Sequence, residues 1–145
     1  MSNTNTETGR DAASTRNRDT LNTDTMQWVS AIVALAGLGL VAYPFIFEST
    51  EAAIWNDTLT GTAIFLLSGY NFVRLSRDRL ASVGVASLAT LLGLWALVSP
   101  AVIEMGSSEL AMATAAGGLI AAALSAYNAY ANSKADTSER APARA

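Results

Sequence analysis

The sequence predicts an all-α, integral membrane four-helix bundle built from two tandem helical hairpins, with disordered polar tails. Three observations predict it. The chain has four long apolar segments, its basic and acidic residues sort between alternate connections, and its two halves match each other.

The apolar segments run from about Trp28 to Phe47, Leu59 to Val73, Leu80 to Ile103, and Leu110 to Tyr130. A helix rises ~1.5 Å per residue and the hydrocarbon core is ~30 Å thick, so ~20 residues are needed to cross it. The first, third and fourth segments meet that length. The second meets it once its interfacial turn is counted from Trp55, where an indole belongs at headgroup level. A soluble bundle would place a polar residue every three or four positions along each helix. Residues 31–47 instead carry no charge, and residues 81–103 offer only Ser82, Ser87, Thr90 and Ser99 as polar side chains. A cleavable leader would have a short basic start and a shorter apolar core. Here about 26 mixed-charge residues precede a full-length span, which is expected to be retained.

All nine basic residues lie in three places: Arg10, Arg16 and Arg18 before the first span, Arg74, Arg77 and Arg79 between the second and third, and Lys134, Arg140 and Arg144 after the fourth. The other two connections carry Glu48, Glu51 and Asp57, then Glu104 and Glu109, without Lys or Arg. Cytoplasmic loops collect Lys and Arg. The pattern therefore places both termini on the cytoplasmic side of the cell (plasma) membrane and supports four crossings.

Domain boundaries follow from composition. Residues 1–25 and 133–145 are too polar to bury enough apolar surface to offset chain entropy, and are expected to be disordered cytoplasmic tails. Residues 26–132 form the membrane domain, with hairpins at about 27–76 and 80–132. Hydrophobic residues make up 51% of the chain and charged residues 14%. There is no Cys and no His, which removes disulfides, thiol nucleophiles, the commonest general base and the commonest metal ligand. No cofactor or metal site is expected, and the net charge of −3 argues against a nucleic-acid partner.

The halves align at an offset of 56 residues: Gly37-Leu38 with Gly93-Leu94, Pro44 with Pro100, Glu48 with Glu104, Thr58 with Thr114, Gly61 with Gly117 and Ile64 with Ile120. Tyr70-Asn71 matches Tyr127-Asn128 at an offset of 57. With two spans per unit, the copies would be parallel and related by a pseudo-twofold axis along the membrane normal.

Gly93-Leu94-Trp95-Ala96-Leu97-Val98-Ser99-Pro100, followed by a loop, resembles the SPW repeat, a membrane family named for a Ser-Pro-Trp at this place. Trp55-Asn56-Asp57-Thr58-Leu59-Thr60-Gly61 resembles the Trp-Asn-Asp…Gly segment of the same family. The resemblance covers roughly residues 27–132 and implies a four-span membrane domain of no established biochemical role. The sequence departs from the motif at Ala101, at Tyr43-Pro44-Phe45, and at Ala111-Met112-Ala113 where a second Trp-Asn-Asp would fall.

Candidate residues each have a structural reading. Pro44 and Pro100 are expected to end their helices at the interface rather than act as hinges. Glu48 and Glu104 read as solvated acidic turns in preference to a cation site. Asn56-Asp57-Thr58 is a formal glycosylation acceptor, yet is expected to cap the second span. Asn71 and Asn128 are expected to hydrogen-bond between helices, and Tyr70, Tyr127 and Tyr130 to form an aromatic belt. In the fourth span, Ala113, Gly117, Ala121, Ser125 and Ala129 make a small-residue ridge, with Thr114, Gly118, Ala122 and Ala126 beside it. Two such ridges suffice for close packing on a neighbouring helix and for a homo-oligomer contact. The basic turn from Arg74 to Arg79 reads as a topology determinant.

The function expected is non-enzymatic: a packing, assembly or accessory domain whose partners are the lipid bilayer, further copies of the chain or a membrane complex. The alternative is a small oligomeric channel or transporter, for which only Ser68, Ser82, Ser87, Thr90 and Ser125 supply pore-lining polarity. An intramembrane enzyme would need paired acids, a metal site or a Ser–His pair within the spans, and the segments as read contain none.

Overall fold

In the computed structural model the backbone is described for residues 2–143 and the side chains for residues 24–134. The chain forms four helices: α1 (Ser2–Ile46), α2 (Glu51–Ser76), α3 (Val83–Val102) and α4 (Ser108–Ala143). No strand occurs among the described residues. The expectation of disordered tails at 1–25 and 133–145 falls almost wholly outside the described side chains; the backbone of α1 and α4 continues as helix into both.

Three stretches are long and apolar enough to cross a membrane: Asp24–Ile46 in α1, Val83–Val102 (all of α3), and Ser108–Lys134 in α4. The 26-residue α2 has the length but is diluted by Asn56, Asp57, Thr58, Thr60, Ser68 and Asn71. Asp57, Thr60, Ser68 and Asn71 are buried inside the bundle, whereas Trp55, Leu59, Leu66 and Tyr70 on the same helix are exposed. This helix buries polar side chains alongside Ala53, Ile64 and Leu75 and exposes large apolar ones, unlike a helix whose outer face meets water.

α2 also begins earlier than the apolar run suggests. Thr50 is its N-cap, its hydroxyl accepting from the Ala53 amide at 3.1 Å. Asn56, Asp57 and Thr58 therefore lie in the second turn, and the capping role expected for them is corrected. Asp57, expected in an acidic loop, is a buried helical residue. Ser82 caps α3 in the same way, accepting from the Val85 amide at 3.4 Å. In α4, the Leu110 amide donates to Ser107 at 3.2 Å.

The helices form a ring in which α1 packs on α2 and α4, and α3 on α4 and α2. The diagonal pair α2 and α4 barely touches. Within each hairpin the backbones meet at glycines. A Cβ on Gly61 would lie 2.5 Å from the Gly37 carbonyl oxygen, and one on Gly118 would lie 2.5 Å from the Leu97 amide nitrogen. Gly93 faces Gly118 and Ala122 just as Gly37 faces Gly61 and Phe65. The contacts thus pair Gly61 with Gly118, not with the Gly117 suggested by an offset of 56. Gly117 looks instead toward Leu40 and Tyr43 of α1.

The offset between matching contacts changes at Gly106. Gly106 has φ +97° and its backbone crosses Ser49 so closely that a Cβ would lie 2.9 Å from the Ser49 Cα. Before Gly106 corresponding residues are 56 apart, as in Gly37 and Gly93. After it they are 57 apart, as in Thr50 and Ser107, Ala53 and Leu110, or Asn71 and Asn128. The central core obeys the same rule, with Leu40, Ile64, Ala96 and Ala121 clustered together and fully or almost fully buried.

Both small-residue ridges of α4 turn inward along their middle, while Ala126 of the second is exposed and Ala129 of the first half-buried. Gly117, Ala121 and Ser125 of the first are buried, and so are Thr114, Gly118 and Ala122 of the second. Ala113 at the edge of the first ridge is half-buried. The buried members of both ridges serve the packing of the chain itself.

Candidate functional site

The motif residues from different helices meet near the acidic end of the bundle, the end that carries Glu48, Glu51, Glu104 and Glu109. The Trp95 indole of α3 donates to Asn56 Oδ1 of α2 at 2.8 Å. Asn56 Nδ2 donates to Asp57 Oδ1 at 2.9 Å. The other carboxyl oxygen of Asp57 accepts from the Thr114 hydroxyl of α4. Asp57 is 1% exposed and Thr114 0%. α2, α3 and α4 are thus tied through the adjacent side chains of Asn56 and Asp57, across the diagonal pair α2 and α4 that otherwise touches little. Asp57 and Thr114 are corresponding positions at the offset of 57.

Helix geometry explains this arrangement. Asp57, Gly61, Ile64 and Ser68 lie at i, i+4, i+7 and i+11, on one face of α2. The face that carries the glycine contact must also carry the carboxyl inward. Trp55, two residues earlier, points away and is 61% exposed. Asn56 is engaged at both ends of its amide within a helix, which leaves nothing of the open loop a glycan acceptor needs.

Ser99 and Pro100 make a second local device. Proline has no N–H, so the Ala96 carbonyl four residues earlier loses its helical donor. The hydroxyl of Ser99, itself completely buried, donates to that carbonyl at 3.0 Å. The Ile103 amide then bonds to the Ser99 carbonyl at 2.8 Å and α3 ends at Val102. Pro44 is buried inside α1 two residues before its end, and Ser49 from the following turn donates to the Pro44 carbonyl at 2.6 Å.

The acidic turns clasp each other. The Thr50 hydroxyl donates to the Glu104 carbonyl, and the Ser107 hydroxyl donates to the Glu48 carbonyl at 2.8 Å. The Glu48 and Glu104 side chains are exposed, and no group of three or more acidic side chains suited to a metal occurs among the described residues.

At the opposite, basic end, Asn128 of α4 donates to Ser30 of α1 at 2.9 Å, and Asn71 accepts from the Ser82 amide at 2.9 Å. Tyr70, Tyr127 and Tyr130 are exposed there. Arg74 donates to the Leu80 carbonyl at 3.0 Å and lies over the Tyr70 ring, and Lys134 lies 5.0 Å from the Tyr130 ring centroid.

Of the residues singled out from the sequence, Trp95, Asn56 and Asp57 come together, while Gly61 and Gly93 sit at the two helix crossings. Thr114 was missed as a partner of Asp57, because the offset of 56 pairs it with Thr58. Its signal was the 57-residue match of Tyr70-Asn71 to Tyr127-Asn128, extended back along the same helix.

An all-α bundle with polar side chains inside and large apolar side chains on its outer face is a membrane protein. Residues 27–133 match the SPW repeat domain, and the chain belongs to that family. No curated protein and no solved structure matches it.

Proposed function

We propose that the chain is a multi-pass protein of the cell membrane that crosses it four times, with both termini cytoplasmic, and that serves as a non-enzymatic packing, assembly or accessory domain. The observation that carries this reading is the inverted polarity of α2. Its buried face holds Asp57, Thr60, Ser68 and Asn71, and its exposed face holds Leu59, Phe65, Leu66 and Val73. Such a helix is out of place in water and suited to lipid, so it joins the three apolar helices as a fourth span. The corresponding contacts of the two hairpins support a tandem duplication with parallel repeats. Gly37, Gly61, Gly93 and Gly118 each bring two helix backbones together, as packing in a bilayer favours.

The native chain has no Cys, so single-cysteine labelling has no background. Ser108→Cys in the acidic end should react with an impermeant maleimide on intact cells, and Ser76→Cys in the basic turn only after lysis. Reaction of Ser76→Cys from outside would overturn the orientation. Reconstituted vesicles should show no ion flux; a flux abolished by Glu48→Gln with Glu104→Gln would replace the packing role with a channel.

A further inference from the structure

We propose that Asp57 is a proton-binding site, reached from the acidic end of the bundle, with the Thr114 hydroxyl as the group that reverses when the proton binds.

The packing does not require an acid at this place. The corresponding position in the second hairpin is Thr114, and the fold holds it equally buried. An ionisable side chain inside a membrane-spanning helix is costly and marks an ion or proton site by default. No cation balances it: the basic side chains among the described residues, Arg74, Arg77, Arg79 and Lys134, all lie at the opposite end. The titratable groups around it on the packed elements are Tyr43 of α1, Glu48 after it, Glu51 of α2, Glu104 after α3 and Glu109 of α4. The four glutamates are exposed.

The hydrogen bonds choose the oxygen that takes the proton. Trp95 donates to Asn56 Oδ1, which fixes the Asn56 amide with Nδ2 toward Asp57 Oδ1. A proton on Oδ1 would face that N–H and compete with the bond it makes. Oδ2 faces only the Thr114 hydroxyl, a rotor that both donates and accepts. When Oδ2 is protonated its new O–H donates to Thr114 Oγ1. The Thr114 hydroxyl then turns to the Leu110 carbonyl four residues earlier in α4, an ordinary acceptor for a helical Thr. One O–H bond forms at Asp57 as one hydronium gives up its proton to become water, and no other covalent bond changes. Exchange is open to one side, because Asp57 lies in the second turn of α2 near the exposed Glu51 of the acidic end, and the adjacent Asn56 is half-buried.

The test uses the full chain in lipid nanodiscs. Infrared difference spectra across an acid-to-neutral pH jump should show the carbonyl stretch of a protonated, buried carboxyl that Asp57→Asn lacks. A pH-indicator dye should count one proton fewer per chain for Asp57→Asn over the same jump. Thr114→Val should shift the band and its midpoint, and Thr114→Ser should restore both. If Asp57→Asn does not fold, the two Thr114 variants decide, since both keep the aspartate. Identical spectra and proton counts in wild type and Asp57→Asn would overturn the proposal, as would a band that neither Thr114 variant moves.

Discussion

At the scale of the residue, the Ser-Pro dipeptide of α3 is a matched pair. Pro100 removes a donor from the Ala96 carbonyl, and Ser99 replaces it from the adjacent position. A buried backbone carbonyl without a donor costs about 1–3 kcal/mol, and interhelical measurements in bilayers put comparable hydrogen bonds at ~0.6–2 kcal/mol. Ser99→Ala should therefore destabilise the protein by about 1 kcal/mol in a denaturation series in mild detergent. In a Pro100→Ala background the residue-100 amide can bond to Ala96 itself, and Ser99→Ala should then cost much less. Equal costs in both backgrounds would show that the hydroxyl serves something other than the orphaned carbonyl. The first hairpin has Tyr43 in the place of Ser99, so the device is not repeated there.

At the scale of the element, α2 shows what a linear reading can and cannot reach. α1, α3 and α4 were legible because uninterrupted apolar runs leave no soluble alternative. The start of α2 was not, since Asn56 and Asp57 are ordinary turn residues when neighbours in sequence are all that is known. Only the inward face of a packed bundle makes them helical. Trp95 and Asn56 were legible as motif residues, yet their hydrogen bond spans 39 positions and needs the α2–α3 crossing to exist. The same local blindness affected the glycines of α4. Gly118 approaches the α3 backbone, where a Cβ has no room, while Gly117 meets the end of the flexible Leu40 side chain at 3.3 Å and Gly69 meets nothing within 4 Å. Alanine substitution removes the intrinsic helix penalty of glycine, worth ~1 kcal/mol, so the balance differs at each site. Gly118→Ala should destabilise by 1–3 kcal/mol or so through overpacking, Gly117→Ala should be near neutral, and Gly69→Ala should be neutral or stabilising. The order of the three midpoints in detergent denaturation checks this, and a Gly117 variant worse than the Gly118 variant would invert the assignment of the ridges.

At the scale of the whole molecule, the question is what holds one hairpin against the other. The α1–α4 and α2–α3 contacts are less extensive than those within hairpins, and the core between them is a small cluster around Leu40, Ile64, Ala96 and Ala121. The reciprocal turn contacts, Thr50 to the Glu104 carbonyl and Ser107 to the Glu48 carbonyl, therefore act where the apolar interface is thin. Gly106 makes them possible: its left-handed backbone takes up the one-residue excess of the second hairpin, so that Ser107 reaches the place Thr50 holds in the first. Each hydroxyl also caps its own helix, and loss of such a cap alone costs ~0.5–2 kcal/mol. Thr50→Ala and Ser107→Ala should each exceed a pure cap loss, because a contact between hairpins goes with it. Together they should cost less than the sum of the two, since the first substitution lets the turns separate and leaves the second hydroxyl only its cap. A strictly additive double-mutant cycle would mean that the turns are held by other contacts, among them the Thr50 amide on the Met105 carbonyl at 3.2 Å.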